Sequence, residues 1–221
     1  MKKALIASTA LVLTAGVAAA DVTISGYGRT GIIYLENIDD TTPSPNETQV
    51  ISRLRMNIDA TTSTDQGVEF GGRFRLQWDQ NNSNRGEQGQ LNAGKLFVTA
   101  SGLTVEIGNV DTAFDSAGLA YASELGSYDR SIGGNPGGSF FAYSSDRLRS
   151  QNYMGVMAKY SVDALTVRAS YVDPDQTGLT DGAGFEEELG ISADYTWNDR
   201  LELSAAAVNN GSGLEGNDQY F

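Results

Sequence analysis

Four arginines on two neighbouring predicted strands are the residues whose type and spacing point most clearly to chemistry. Arg53 and Arg55 alternate with apolar residues along one strand, and Arg73 and Arg75 do so along the next. Side chains alternate between the two faces of a strand, and residues 61–67 have turn composition, so all four arginines project from one side of a hairpin. Clustered guanidinium groups repel one another and need water or carboxylates nearby. That side of the hairpin therefore faces solvent or a water-filled interior.

The chain contains no histidine and no cysteine, and this excludes several kinds of catalytic site. A Ser-His-Asp triad, a cysteine nucleophile and a conventional zinc site all need one of these residues. Paired carboxylates could still act as general acid and base, and the densest acidic run is Glu186-Glu187-Glu188. Three consecutive carboxylates where a loop meets a strand are typical of a solvated charge run. We therefore predict no enzymatic activity.

No cofactor is predicted, although a loosely bound calcium ion stays open. Asp173-Pro-Asp-Gln-Thr-Gly178 resembles the opening of a calcium-binding loop. The twelfth position of such a loop carries a bidentate glutamate, and Gly184 occupies it here, so an EF-hand is rejected. The formal net charge of −13 argues against nucleic acid as a partner.

The elements that must position these residues are segments of alternating polarity. About nine such segments follow residue 20, and they predict an all-β fold. The connections between them alternate in length. The long connections are residues 36–48, 80–89, 111–152 and 173–187, and the short ones are residues 61–67, 101–102, 161–164 and 198–200. Tight turns at one end and long loops at the other are typical of a transmembrane β-barrel, whereas a soluble sandwich has no reason to sort its loops by end.

Six aromatic residues share the apolar side of their strands and lie near strand ends. They are Tyr34, Trp78, Tyr160, Tyr171, Tyr195 and Trp197. Rings at both membrane–water boundaries form the two aromatic girdles of an outer-membrane barrel. Ordinary core aromatics are the alternative.

Residues 1–20 are predicted to be an export signal. Two lysines give a positive start, residues 4–15 are apolar, and residues 18–20 form a small-residue cleavage site. The mature chain would begin at Asp21, and loss of the two lysines would change the formal charge from −13 to −15. The protein is therefore expected to work outside the cytoplasm.

The connection of residues 111–152 is, at roughly forty residues, far longer than an ordinary loop. It contains carboxylates together with apolar residues that need a surface to pack on; among them are Asp111, Asp115, Glu124, Asp129, Leu119, Phe140 and Phe141. Two interpretations are open for it. It is a flap on the outer surface, or it folds into the interior with its carboxylates facing the arginines.

Several runs of the chain resemble the general diffusion porins of Gram-negative bacteria, most closely the alphaproteobacterial kind. These runs are Ser25-Gly-Tyr-Gly-Arg-Thr-Gly31, Ser52-Arg-Leu-Arg-Met-Asn57, Gly67-Val-Glu-Phe-Gly-Gly-Arg-Phe-Arg75 and Glu106-Ile-Gly-Asn-Val110. The resemblance implies a transmembrane antiparallel up-and-down β-barrel of sixteen strands, of which about nine lie in this chain. It also implies a homotrimer embedded in outer-membrane lipid.

The same resemblance implies a function and a set of site residues. The function is a water-filled channel for passive diffusion of small hydrophilic solutes and ions. Residues 21–221 would form the barrel domain, and residues 111–152 would fold inward and narrow the pore. The basic wall of this constriction would be Arg53, Arg55, Arg73 and Arg75, and the candidates for its acidic loop side would be Asp111, Asp115, Glu124 and Asp129.

The sequence departs from the family near Phe221. Barrels of this family usually end in a phenylalanine that follows alternating apolar residues, but Glu215, Asn217 and Gln219 are polar. Nine is also an odd number of strands, and an unpaired strand edge cannot lie in lipid. We therefore interpret Phe221 as coincidental. The natural gene is expected to continue for about seven further strands, on the order of a hundred residues.

Two functions of other classes stay open at this point. One is a small closed barrel that serves as a structural anchor, with its arginines paired to Asp59, Glu69 and Glu106 and no path for solute. An eight-stranded barrel is filled by its own side chains, so the long loop could not also enter it. The other is a secreted β-sandwich that binds carbohydrate or a protein partner. Membrane fractionation separates the sandwich from both barrels.

Overall fold

A computed structural model of the chain describes residues 21–34, 46–80, 90–91, 94–120, 140–143, 154–174 and 185–221. The predicted export signal, residues 1–20, lies outside these ranges. Within them, no helix has the length and hydropathy needed to cross a membrane.

The described residues form one antiparallel sheet of eleven strands. The strands are β1 (Asp21–Tyr34), β2 (Thr48–Ser63), β3 (Glu69–Gln80), β4 (Gln90–Leu91), β5 (Lys95–Ala100), β6 (Leu103–Gly108), β7 (Met154–Val162), β8 (Leu165–Asp173), β9 (Glu188–Trp197), β10 (Leu201–Asn209) and β11 (Gln219–Tyr220). All except β4 and β11 have six residues or more, and these longer strands correspond to the nine predicted segments.

Strand order in the sheet follows the order of the chain, with β4 placed beside β3. Each hairpin is antiparallel, and β1 pairs with β2 along its whole length, from Asp21 opposite Thr61 to Tyr34 opposite Thr48. Antiparallel strands can be joined by very short turns, so local pairing is enough to build this meander. The arrangement is the up-and-down topology of the predicted barrel.

The two faces of the sheet differ sharply in polarity and exposure. The outer face is apolar and open: Ile32 is 75% exposed, Leu96 69% and Ile191 62%. The inner face carries the alternating polar residues, and it buries Lys95 and Ser192 to 5% and 6% exposure. Apolar surface of this extent is unfavourable in water. Lipid is the environment that matches it.

Four tight turns lie together at one end of the sheet, as the sequence predicts. They join β2 to β3, β5 to β6, β7 to β8 and β9 to β10. In the second of them, Ser101 and Gly102 both have positive φ, 49° and 82°, a geometry that matches the twist of the flanking strands. A Cβ atom at Gly102 would lie 2.5 Å from the carbonyl oxygen of Ser161. Glycine is therefore required there.

The six aromatic residues divide between the two ends of the outer face. Tyr160, Tyr195 and Trp197 lie next to the tight turns, where Trp197 pairs with Leu201 across the β9–β10 hairpin. The other three, Tyr34, Trp78 and Tyr171, lie toward the opposite ends of their strands. All are exposed except Trp78, which is half-buried. The distribution agrees with the predicted girdles.

Arginine introduced on the outer face is expected to destabilise the barrel according to its depth. Phe74 lies in the middle of β3 and is 50% exposed, so Phe74→Arg should cost about 2–4 kcal/mol of folding free energy in a bilayer. Leu201, 51% exposed beside a tight turn, provides the matched control, and Leu201→Arg should cost about 1 kcal/mol or less. Urea unfolding from lipid vesicles measures both. Equal costs would contradict the placement of this face in lipid.

The apolar core of the described residues lies on the inner side of the sheet. Phe114 is fully buried there against Ala117, Ala120, Ala206 and Val208. Two of these residues belong to β10 and three to the chain that follows β6, so the core joins the sheet to a segment lying on its inner face.

Candidate functional site

The register of the first three strands places all four arginines of the predicted basic wall on the inner face. Arg73 lies opposite Asp59, Arg75 opposite Asn57, and Arg55 opposite Gln77. Directly paired residues of an antiparallel sheet project to the same side. The charged side chains of both strands therefore meet in one band.

Arg73 and Arg75 each bond to a side chain of the neighbouring strand. The Arg73 guanidinium donates Nε–H to Asp59 Oδ1 at 2.6 Å and a second hydrogen bond to Oδ2 at 3.2 Å. This bidentate geometry is the strong form of an Arg–carboxylate pair. Arg75 donates from Nε to Asn57 Oδ1 at 2.9 Å. Both guanidinium groups are held in place on the inner face.

Strand β1 extends the basic band beyond the four predicted arginines. Arg29 lies opposite Arg53, and Tyr27 lies opposite Arg55. The Tyr27 ring is 5.9 Å from the Arg29 guanidinium carbon and 5.3 Å from that of Arg55, within the range of cation–π attraction. Arg29 lies at a polar position in the alternation of its strand. This pattern is visible in the sequence and could have predicted Arg29 as part of the basic wall.

Lys95 is the centre of a buried ion-pair cluster next to the arginines. It lies directly opposite Arg73 in the β3–β5 pairing, and its Nζ lies 2.7 Å from Glu106 Oε2 and 2.9 Å from Asp111 Oδ2. With Lys95 only 5% exposed, the cluster fixes Asp111, the first predicted acidic residue, at the edge of the basic band.

Residues 109–120, which we call the crossing segment, lie across the inner face of the sheet. Two side chains of the sheet accept hydrogen bonds from its backbone. Ala113 N–H donates to Ser170 Oγ on β8 at 2.9 Å, and Gly118 N–H donates to Asp194 Oδ1 on β9 at 2.9 Å. Phe114 packs between these two tethers against β10. The segment thus runs along the interior side of the sheet.

Residues 140–143, which we call the returning arm, pass over the crossing segment and reach the arginines. Thr112 Oγ1 donates to the Phe141 carbonyl at 2.6 Å. The Tyr143 carbonyl accepts a hydrogen bond from Arg75 Nη1. The Tyr143 ring lies 4.5 Å from the Arg75 guanidinium carbon and 5.1 Å from Lys95 Nζ. These three contacts hold the arm against the basic band.

Aromatic stacking closes the core under these two segments. The Phe114 and Phe140 rings are 4.9 Å apart, and the Phe221 ring meets Phe114 edge-on at 5.4 Å. Phe221 also exchanges two backbone hydrogen bonds with Ala206 on β10. Phe221 thus contributes to the packing of the inner face, whereas the interpretation of its match to the family's terminal phenylalanine as coincidental stays a prediction.

The structure places some of the predicted acidic residues and leaves others undescribed. Asp111 pairs with Lys95, and Asp115 lies half-buried on the crossing segment. Glu124 and Asp129 lie outside the described residues. The role of all eight predicted residues in lining a pore stays a prediction.

The interpretation of Glu186-Glu187-Glu188 as a solvated charge run is wrong for its third residue. Glu186 and Glu187 are exposed, as a solvated charge run should be, but Glu188 is fully buried. Strand β9 begins at Glu188, so the alternation of the strand turns this third carboxylate to the inner face while its neighbours stay outside.

Asp194 was not among the predicted site residues, although it organises the far side of the inner face. In addition to Gly118, it accepts a hydrogen bond from Ser204 Oγ at 2.6 Å and forms an ion pair with Arg168. Its polar position in the alternation of β9 is visible in the sequence. Its contact with the crossing segment is not.

The loosely bound calcium ion stays a prediction. No group of three or more acidic, histidine or cysteine residues in the described part of the chain is arranged to hold a metal ion. The predicted calcium-like run begins at Asp173 and Pro174, and its residues 175–184 lie outside the described ranges. The inner face carries fixed charges of both signs beside the crossing segment.

Comparison with known proteins agrees with this architecture. The Gram-negative porin family matches residues 7–149. A protein named porin from Fuscovulum blasticum is 43% identical over 204 residues, which are 91% of this chain and 68% of that protein. The chain therefore spans about two thirds of the length of this relative.

Solved structures of the Rhodopseudomonas blastica porin share the fold. One mutant of that porin is 42% identical and matches with a TM-score of 0.77 over 90% of this chain and 66% of its own. Another mutant, in which two basic and two acidic residues are replaced by alanine, is 41% identical with the same TM-score and coverage. At this identity over most of its length, the chain belongs to the Gram-negative porin family, and its β-barrel lies in the outer membrane.

Proposed function

We propose that this porin lets small hydrophilic solutes and ions diffuse passively across the outer membrane, along the space bounded by the inner face. The observation that supports this most strongly is the contrast between the two faces together with the crossing segment. Charged and polar side chains line the inner side, which the crossing segment and the returning arm narrow, whereas the outer side is apolar. In this proposal the protein performs no reaction and needs no cofactor.

Selectivity in this channel comes from size and from a transverse electric field. The basic side is Arg53, Arg55, Arg73 and Arg75, extended by Arg29. The acidic side is drawn from Asp111, Asp115, Glu124 and Asp129. Charges of opposite sign across a narrow, water-filled aperture act on a passing solute according to its charge and dipole. Solutes larger than the aperture are excluded.

The tethers of the crossing segment keep the aperture constant. Hydrogen bonds to Ser170 and Asp194 and the buried packing of Phe114 hold it at three separate points. A loop without such contacts would sample many positions, and its channel would have no defined size limit. The proposed assembly is a homotrimer in outer-membrane lipid, with one channel in each subunit.

Liposome swelling tests this function. Purified full-length protein is reconstituted into vesicles that are then diluted into iso-osmotic solutions of sugars of increasing size. We expect fast swelling with the smallest sugar and a steep fall as solute size increases. Swelling no faster than that of protein-free vesicles would contradict the proposal and favour the structural anchor.

A further inference from the structure

Glu188 is a buried carboxyl group that the proposed conduction path does not use. It is the first residue of β9 and has no exposed surface. Its Oε1 atom is buried and accepts no hydrogen bond from the described residues. Carboxyl groups are rarely buried unless they are held by specific partners. We therefore expect this buried carboxyl group to have a role in the fold or in the channel.

The other oxygen of Glu188 joins two segments that are distant in the chain. Oε2 accepts the Phe141 N–H at 2.8 Å and the Ser212 N–H at 2.7 Å. Phe141 belongs to the returning arm. Ser212 belongs to the short turn Gly211–Gly213 between β10 and β11. One carboxyl group thus connects the arm in the interior to a turn at the edge of the sheet.

The turn itself is attached firmly to the start of β9. Glu186 N–H donates to the Gly213 carbonyl at 2.9 Å, and Asn210 Nδ2 donates to the Glu187 carbonyl at 3.4 Å. Ser212 has a positive φ of 59°, a left-handed conformation that a residue other than glycine adopts at some conformational cost. The Glu188 contact to the turn is therefore one of several. Its contact to Phe141 joins the arm to β9.

The returning arm spans the inner face between two strands that are far apart in the sheet. Phe141 bonds to Glu188 on β9, and Tyr143 bonds to Arg75 on β3. Four strands, β5 to β8, lie between β3 and β9 in the sheet order. Without the Glu188 carboxyl group, the buried Phe141 N–H would have lost this acceptor. An unsatisfied buried N–H is costly, so movement of the arm toward water would lower its free energy.

We propose that Glu188 is a positioning residue for the constriction: it fixes the β9 end of the returning arm and couples that arm to the Gly211–Gly213 turn. This inference rests on the proposed function, because the arm narrows a channel only if the inner face conducts. Ser170 and Asp194 hold the crossing segment independently. Loss of Glu188 therefore removes the β9 attachment of the arm, which keeps its contacts with Thr112 and Arg75, and leaves the crossing segment in place.

The test uses a single cysteine on the arm, since the chain contains none. Ala142→Cys places a thiol at a half-buried position beside Phe141. Its labelling rate with a membrane-impermeant thiol reagent is measured alone and together with Glu188→Ala, Glu188→Gln or Glu187→Gln. Glu187→Gln is the matched control, because it changes the same charge at the adjacent exposed position. Single-channel current noise is recorded for the same variants without the cysteine.

We expect Glu188→Ala to increase the labelling rate about tenfold or more, since the buried Phe141 N–H and the half-buried Ser212 N–H lose their acceptor. Glu188→Gln keeps one acceptor oxygen and should give a smaller increase; it carries the test if Glu188→Ala does not assemble. Both should add rapid current fluctuations, and Glu187→Gln should match the parent. Labelling and currents of both Glu188 variants equal to those of Glu187→Gln would overturn the proposal. If Glu188→Ala increases the labelling rate but neither the variants nor the parent protein pass current, the channel function is refuted and the attachment of the arm by Glu188 still holds.

Discussion

Replacing Lys95 by methionine is expected to lower the free energy of unfolding by about 3 kcal/mol. The Lys95 ammonium lies 2.7 Å from Glu106 and 2.9 Å from Asp111, and their side chains are 12% and 28% exposed. Without the ammonium, two carboxylates would face each other in a poorly hydrated site. Removing one partner of a buried ion pair costs more than the pair itself contributes, because the remaining charge is uncompensated. Urea unfolding from lipid vesicles measures the change.

Two variants separate this effect from a general loss of surface charge. Lys159→Met makes the same change at a half-buried position of the inner face that forms no ion pair with the described residues, and it should cost less than about 1 kcal/mol. Combining Lys95→Met with Glu106→Gln removes one of the stranded charges and should restore part of the lost stability. A Lys95→Met protein as stable as Lys159→Met would show that the cluster contributes nothing.

The sheet could be predicted from the sequence because its information is local. In β2, Leu54 and Ile58 alternate with Arg53, Arg55 and Asn57, and a period of two fixes both the strand and its two faces. Tight turns such as Ser101-Gly102 then join neighbours in order, so no long-range pairing had to be inferred. The inward side of the arginines follows from the same alternation.

The contacts of the site depend on the long connection, and local patterns do not contain them. Nothing near Tyr143 in the sequence indicates that its carbonyl meets Arg75, 68 residues away. Likewise, the sequence identifies Lys95 only as a polar residue in an alternating strand. Its contacts with Glu106 and Asp111 could not be predicted from that pattern. Glu188 was misinterpreted for a related reason: an acidic run looks solvated until the exact start of the strand decides which carboxylate turns inward.

Replacing Arg53 and Arg55 together by glutamine is expected to shift the channel's selectivity toward cations. At about 10 Å in water, each unit charge changes the energy of a passing ion by about 0.4 kcal/mol. Two charges therefore correspond to roughly a threefold change in the cation-to-anion permeability ratio after screening. Arg75 is a less suitable position for this test, because it also holds the returning arm through the Tyr143 carbonyl. The shift is measured as a change of reversal potential in a salt gradient.

That reversal potential, recorded from single channels of the full-length protein in a planar bilayer, tests most directly whether the charged inner face lines the conducting path. The control is Arg200→Gln, which removes the same charged group at an exposed position in a tight turn. The account predicts that the double variant at Arg53 and Arg55 moves the reversal potential toward the cation equilibrium potential and that Arg200→Gln leaves it unchanged. Reversal potentials that are identical for wild type and the double variant would contradict it.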